Sequence, residues 1–504
     1  MSTQLTASGP ITLKTINPGI LRADYAVRGK LAALAAQIRV DLGNGTHKWP
    51  FNRIVSLNLG NPQGCGQKPL TFFRQVLALL EYPELLELAE AGELGDAFPQ
   101  DTRTRASALL RAVGSIGAYS SNYGYQCVRE AVAEYISKRD GFPSVPEDIF
   151  LTCGAFEGML ISMTLLSGGH MQQPGERVGV LLPVPFYPVY RALLITLDLV
   201  PIFYHLDEQE GWKVRGKSSL ENVIADARNQ GIVPRCIVVI NPSNPTGTVS
   251  SQANLETIIE LSAEQNLVLL ADEVYQENLF PGYTFVSCKA ALRRVQTTRS
   301  SQDTRYSSLQ LISLHSVSKG MVGEGGQRGG YFEAIGFPSE VREQLQKLIT
   351  YMLQPASAGQ ILVDLMVNPP APGQESYPLY KQEHTAVYNR LQRQADALDK
   401  AFEQMPGVHC ARAQGAIYHF PRVGLPPAAV RAAKEMGETP DVWYCKKLLE
   451  ATGVCVVPGS GFGMSDGSED GKIWFRISFL DDETGWIGAM DRFQRQLLER
   501  YAGK

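Results

Sequence analysis

From Asp148 to Leu314 the chain alternates short apolar runs with amphipathic stretches, and this alternation constrains the fold more than any other feature. Arg177 to Leu182, Leu199 to Tyr204, Cys236 to Ile240, Leu267 to Ala271 and Leu309 to Leu314 are of strand length, and Cys-Ile-Val-Val-Ile is apolar at every position. A strand with one face in water alternates polar and apolar residues. One that is apolar throughout is buried on both faces, as in a parallel sheet covered by helices. Helical patterns fall between the runs at Tyr187 to Leu197, Leu220 to Gln230 and Leu255 to Gln265, so each run–helix–run triplet predicts a βαβ unit. The expected fold class is α/β, a large domain with a mostly parallel sheet flanked by helices plus a smaller α+β domain. The Pro-rich break Asn368-Pro369-Pro370-Ala371-Pro372-Gly373 reads as a junction. A helix-like segment from Ser339 precedes it and a long helix over Glu375 to Gln404 follows. The expected division is 1–110 as an N-terminal arm with part of the small domain, 111–368 as the large domain and 369–504 as the small C-terminal domain. The polar, charged stretch Arg293 to Ser308 predicts an exposed loop.

Composition narrows the function classes. A chain of 504 residues fits two packed domains. A net charge of −4 with no basic run offers no electrostatic footprint for nucleic acid or a membrane surface. The eight cysteines are scattered with no C-x-x-C pair, which predicts reduced thiols, and the seven histidines show no H-x-x-x-H spacing for a metal. Met1 to Leu21 has Lys14 as its only basic residue before Arg22 and lacks the apolar core of a secretory signal. The expected compartment is the cytoplasm.

In an open α/β sheet, ligands collect at the carboxyl ends of the strands, and here each such end carries polar chemistry. Ser316-Val317-Ser318-Lys319 follows the run Leu309 to Leu314, with Arg328 nine residues on inside a Gly-rich segment. A lysine framed by hydroxyls and a guanidinium suits a Schiff-base cofactor bearing a phosphate. S-x-x-K also occurs in serine hydrolases that need S-D-N and K-T-G elements, and neither element is present. Asn244 projects from the turn Asn241-Pro-Ser-Asn-Pro-Thr-Gly247, which by itself is an ordinary Asx/Pro turn. Asp272-Glu-Val-Tyr275 follows the run Leu267 to Ala271. Its carboxylate is as readily a helix N-cap, yet with the phenol it could meet the ring nitrogen and ring hydroxyl of a pyridine. Thr152 to Gly158 ends a strand and begins a helix, where small residues let a phosphate reach free N–H groups. Tyr187, in Pro185-Phe-Tyr-Pro188, brings an aromatic face to the next strand end.

That ordered set resembles the class I/II aminotransferases of the pyridoxal-phosphate (PLP) transferase type I fold. Further blocks are similar to the alanine aminotransferase-like branch. They include Tyr25 to Gly29, Pro69 to Val76, Gly117 to Ser120, Asp364 to Pro370, Gln414-Gly415-Ala416 and Gly453 to Gly463. The resemblance implies PLP as cofactor, an L-amino acid and a 2-oxo acid as substrates, with alanine the first donor to consider, and ping-pong transfer in a homodimer. It implies that Lys319 carries the cofactor, Asp272 pairs with the ring nitrogen, and Tyr275 and Asn244 bond the ring oxygen. Ser316, Ser318, Arg328 and the backbone of Gly154, Ala155 and Phe156 would hold the phosphate, and Tyr187 would stack on the ring. Arg476 would take the substrate carboxylate beside Gly60 and Asn244, and Tyr119 would reach the phosphate across a dimer interface.

The chain departs from that branch at Asn61, Phe156, Gly325, Gln327, Met352, Gln354 and Ala356, positions expected near the substrate. Polar groups gained or lost in a pocket change discrimination by orders of magnitude. The alternative is a diverged paralogue with another donor, or one performing PLP-dependent elimination, replacement or decarboxylation. A PLP-binding regulator needs a helix-turn-helix, for which the short, non-basic N-terminal segment leaves no room.

Overall fold

The computed structural model describes residues 11–23, 25, 27, 29–45, 48–168, 175–299, 303–481 and 483–502. Ala26 and Arg28 of the block Tyr25 to Gly29, and residues 1–10 of the amino-terminal segment, lie outside the described residues.

Eight strands form the principal sheet. They are β1 (Ile149–Thr152), β2 (Arg177–Val184), β3 (Val200–Asp207), β4 (Lys213–Val214), β5 (Ile232–Ile240), β6 (Val268–Asp272), β7 (Leu311–Ser316) and β8 (Gly330–Ile335). Their order is β1–β8–β7–β6–β5–β2–β3–β4. Pairing is parallel from β3 through β2, β5 and β6 to β7, and antiparallel at both edges. The five apolar runs are thus the parallel core. Successive side chains of a strand point to opposite faces, and both faces here are covered. Ile237 and Val239 pack with Leu220, Ile224, Leu255 and Ile258 on one side. Val238 and Ile240 pack with Met159, Tyr190 and Leu193 on the other. That double burial is why Cys236 to Ile240 carries no polar residue.

Two departures from the sequence reading have clear causes. Arg293 to Ser308 is not a loop: a helix spans Cys288–Arg299 and a helical turn spans Thr304–Ser307. Ala291, Leu292, Val295 and Tyr306 pack into the core from this region, while the arginines that gave it a loop-like polarity lie on the outer face. Strand β8 carries no clear apolar signal because Glu333 interrupts a short run. Glu333 is nevertheless buried and paired with buried Lys289 at 2.6 Å.

A second sheet comprises β9 (Val408–His409), β10 (Tyr418–His419), β11 (Arg422–Gly424), β12 (Val457–Pro458) and β13 (Lys472–Ser478). β13 is its hub, pairing antiparallel with β10, β11 and β12. The amino-terminal stretch joins this region, since Val55 and Ser56 pair in parallel with Val454 and Cys455. The long helix Tyr377–Gln404 supports it from behind. All eight cysteines are free thiols. Among the described residues no helix is long and apolar enough to cross a membrane.

Candidate active site

The chain reverses its strand order between β2 and β5, and the carboxyl ends on either side of such a switch form a crevice. A cavity of about 600 Å³ lies there. Tyr187 follows β2, Asn244 follows β5, Asp272 ends β6, and Ser316, Ser318 and Lys319 end or follow β7; all of them line the cavity. Tyr275, Ala155, Phe156, Arg328, Gly60 and Arg476 line it as well. Gly154 sits just behind, as the N-cap of the helix Ala155–Leu166.

Each polar group is held by a named contact. The Lys319 amine donates to the Gly60 carbonyl, so the amino-terminal segment supplies one wall against the lysine. One carboxylate oxygen of Asp272 accepts from the Tyr190 hydroxyl at 3.1 Å, while the other is buried without a partner. Arg476 is 1% exposed. It donates to Asn244 Oδ1 at 3.0 Å and to the Asn58 carbonyl at 2.6 Å, leaving Nε unpartnered. Arg328 donates to the Cys153 and Gly325 carbonyls at 2.7 and 2.8 Å and lies 3.4 Å from Ser318 Oγ. Its φ of 56° is left-handed, a conformation non-glycine residues hold only when their surroundings demand it. Gly154, at φ 81°, makes room: a β-carbon there would sit 2.5 Å from Arg328 Nη2.

Burial sets the electrostatics. It pushes the Asp272 carboxyl up to about 6, against the opposing pull of Tyr190, the Val274 N–H and Lys319. It raises the Tyr187 and Tyr275 phenols well above their ordinary value. Tyr418 moves the other way: burial opposes its ionisation, but the charges of Arg476 and Lys319 prevail and lower it.

Not every candidate reaches the cavity. Tyr119 is 88% exposed and lines none of it. Of the departures from the family pattern, Asn61, Phe156 and Gly325 line the cavity, whereas Gln327, Met352, Gln354 and Ala356 do not. Gln354 instead accepts a hydrogen bond from the Ser120 N–H, and the Ala356 N–H meets Cys153 Sγ at 3.4 Å. Three tyrosines have no role assigned from sequence, although Tyr25 stands in a family-like block. Tyr190, one helical turn after Tyr187, bonds Asp272, and that spacing was a usable signal. Tyr25 bonds the Tyr187 hydroxyl at 3.1 Å. Tyr418 bonds Tyr275 at 3.4 Å, and no local signal marks it.

An amine and a carboxylate stand at neighbouring strand ends with a buried guanidinium lining the same cavity, on the fold shared by solved aminotransferases. Residues 88–485 match the family Aminotransferase class I and II. The chain belongs to that family and is a PLP-dependent aminotransferase. It is 43% identical over 495 residues to a protein of Saccharomyces cerevisiae named mitochondrial alanine aminotransferase, covering 97% of this chain and 81% of that one. It is 40% identical to another from the same yeast named inactive alanine aminotransferase, covering 98% and 95%. The alanine aminotransferase of Pyrococcus furiosus has the same fold, with a TM-score of 0.69 at 22% identity, over 96% of this chain and 99% of that one. The alternative of elimination, replacement or decarboxylation is not favoured by these likenesses. The cytoplasmic expectation is overturned: relatives from yeast, Dictyostelium discoideum and Arabidopsis thaliana are named mitochondrial. That expectation rested on an arginine-poor amino-terminal segment, and a segment's composition is a weak guide to compartment.

Proposed function

We propose that this cavity holds PLP on Lys319 and moves an amino group between alanine and a 2-oxo acid, with 2-oxoglutarate the acceptor and pyruvate the oxo acid that alanine leaves. One of the relatives is named as inactive, so turnover depends on what this chain's own side chains supply. The observation that carries it is the Lys319 amine in one cavity with the unpartnered oxygen of Asp272. A buried carboxylate oxygen without a partner is costly, and a protonated ring nitrogen would satisfy it. The Arg328 guanidinium, packed against Gly154, and the hydroxyls of Ser316 and Ser318 line the same cavity and are donors a phosphate could use, so the residues suit the group.

When bound, PLP supplies an electron sink for the charge left at the amino acid's α-carbon. Lys319 Nζ would take the proton from the substrate's α-carbon and carry it away from that carbon. Arg476 orients the substrate carboxylate with the planar fork that a lysine lacks, and Gly60 and Asn244 flank it. Asp272 keeps the ring nitrogen protonated, Tyr275 and Asn244 address the ring oxygen, and Tyr187 covers one ring face. Ser316, Ser318, Arg328 and the N–H groups from Gly154 to Phe156 anchor the phosphate. The same proposal places 111–368 as the PLP-binding unit, since the principal sheet lies between residues 149 and 335. It includes a homodimer in which Tyr119 serves the partner's site. The exposure of Tyr119, Tyr351 and Leu353 on segments tied together by Gln354 and Ser120 supports that surface.

Mixing the loaded protein with each amino acid in turn, while watching the cofactor's visible absorbance, tests the reading. Alanine should discharge the band, and 2-oxoglutarate or pyruvate should restore it, with ping-pong kinetics at steady state. If another donor works and alanine does not, the substrate is wrong while the reaction class stands; if no amino acid changes the band, the reaction fails too. Arg476→Lys should raise KM for the donor about ten- to a hundredfold, the loss of one charged hydrogen-bond pair. An unchanged KM would remove Arg476 from the carboxylate site.

A further inference from the structure

We propose that Tyr418 is a positioning residue for this site, with its hydroxyl backing Tyr275 and its ring setting the plane of Arg476. The inference rests on the reading of the cavity as a PLP site. Tyr418 opens β10 and pairs with Ser478 of β13, which puts it diagonal to Arg476 on one face of the small sheet. The guanidinium carbon of Arg476 lies 4.1 Å from the centre of the Tyr418 ring. On its far side the Tyr418 hydroxyl meets that of Tyr275 at 3.4 Å, with the two rings at 80°. It also packs against Gly60, where an added β-carbon would collide with the Tyr418 hydroxyl and lie 2.8 Å from Lys319 Nζ.

Tyr418 is itself clamped between the two sheets. Just before it, the N–H groups of Gln414 and Gly415 both donate to the Gly247 carbonyl at 2.9 Å, and the Ala416 N–H donates to Asn278. Gly247 has no space for a β-carbon, which would come 2.5 Å from the Tyr418 carbonyl oxygen. The residue therefore joins the guanidinium of the small sheet to the phenol of the large one.

Hydroxyl and ring do separable work. Tyr275 has one O–H, directed here at Tyr418. Once the cofactor's ring oxygen takes that hydrogen, Tyr418 can donate to Tyr275 in return, and a donor behind Tyr275 strengthens its own outgoing bond. A stronger bond stabilises negative charge on the ring oxygen and lowers the proton affinity of the Lys319 nitrogen beside it. The ring, independently, fixes the guanidinium by a cation–π contact.

Two variants of the loaded enzyme divide these roles. Tyr418→Phe keeps the ring, so it should leave KM for the donor unchanged. It should raise the pH midpoint of the cofactor's visible band by roughly half a unit to one unit, the worth of one hydrogen bond. Tyr418→Leu should move the midpoint similarly and raise KM by roughly 3- to 30-fold through loss of the cation–π contact. A Tyr418→Phe midpoint equal to that of the unmodified enzyme, or equal KM increases in both variants, would overturn the proposal. If the unmodified protein shows no visible band after loading, the PLP reading itself fails and this inference falls with it.

Discussion

Lys319→Ala is expected to remove the cofactor's lysine-dependent visible absorbance and to lower kcat by at least about a thousandfold. General acid–base transfer alone contributes roughly 10²- to 10⁴-fold, and this variant also loses the covalent attachment. The fold should survive, because the lysine's amine bonds only the Gly60 carbonyl across the cavity and the packed strand beneath it is untouched. Ser316, Ser318 and Arg328 remain to hold the phosphate, so cofactor should still bind but wash out on dialysis. Absorbance, turnover and thermal unfolding of one preparation check all three statements. Retention of more than a tenth of the activity would remove Lys319 from the chemistry.

Asp272→Asn should have opposite effects on stability and on turnover. Burial raises this carboxyl from the 3.8 of a solvated aspartate to about 6. The folded protein therefore binds this proton more tightly than the unfolded chain does. Its contribution favours folding below pH 3.8 and is lost as pH climbs through about 6. At 1.36 kcal/mol per unit, the charged form costs about 3 kcal/mol above that window. Without cofactor, the Asn variant should thus be more stable than the parent at pH 8, and the difference should vanish near pH 3.5. Glu273 and Glu277, both raised by burial to about 7, give parent and variant a common slope that cancels in the difference. With cofactor the order reverses, since the ring nitrogen loses its counter-charge, and kcat should fall by roughly 10²- to 10³-fold, as for other removed electrostatic contacts. Chemical unfolding of cofactor-free protein at the two pH values, with turnover of the loaded enzyme, measures both. Equal stability at pH 8 would show that the buried oxygen is not an unpaired charge.

Legibility in the sequence followed the range of the forces involved. The parallel strands could be read because burial on both faces writes an apolar residue at every position, as in Val238 and Val239. Tyr190 was recoverable from helical spacing but needed Asp272 to be placed first. Strand β8 and the helix Cys288–Arg299 were missed because Glu333, Lys289 and the outward arginines mask the pattern, and Glu333 is tolerable inside only because Lys289 neutralises it. Tyr119 could be named from family likeness, while in the single chain it is exposed and lines none of the cavity.

The sequence alone determined the α/β core and which residues stand at its strand ends. Both are local: a buried parallel strand is a continuous apolar run, and the residues just past it reach the crevice by connectivity alone. Tertiary structure decided the rest of the cavity. Gly60 meets a lysine 259 residues away because its segment runs beside β13, where the Ser478 N–H donates to the Leu57 carbonyl at 2.9 Å. Arg476 and Tyr418 share a face only because β10 and β13 pair in one register, since a shift by one residue would turn that face away. Tyr418 meets Tyr275 only because Gly247 and Gly415 lack side chains that would hold the two sheets apart.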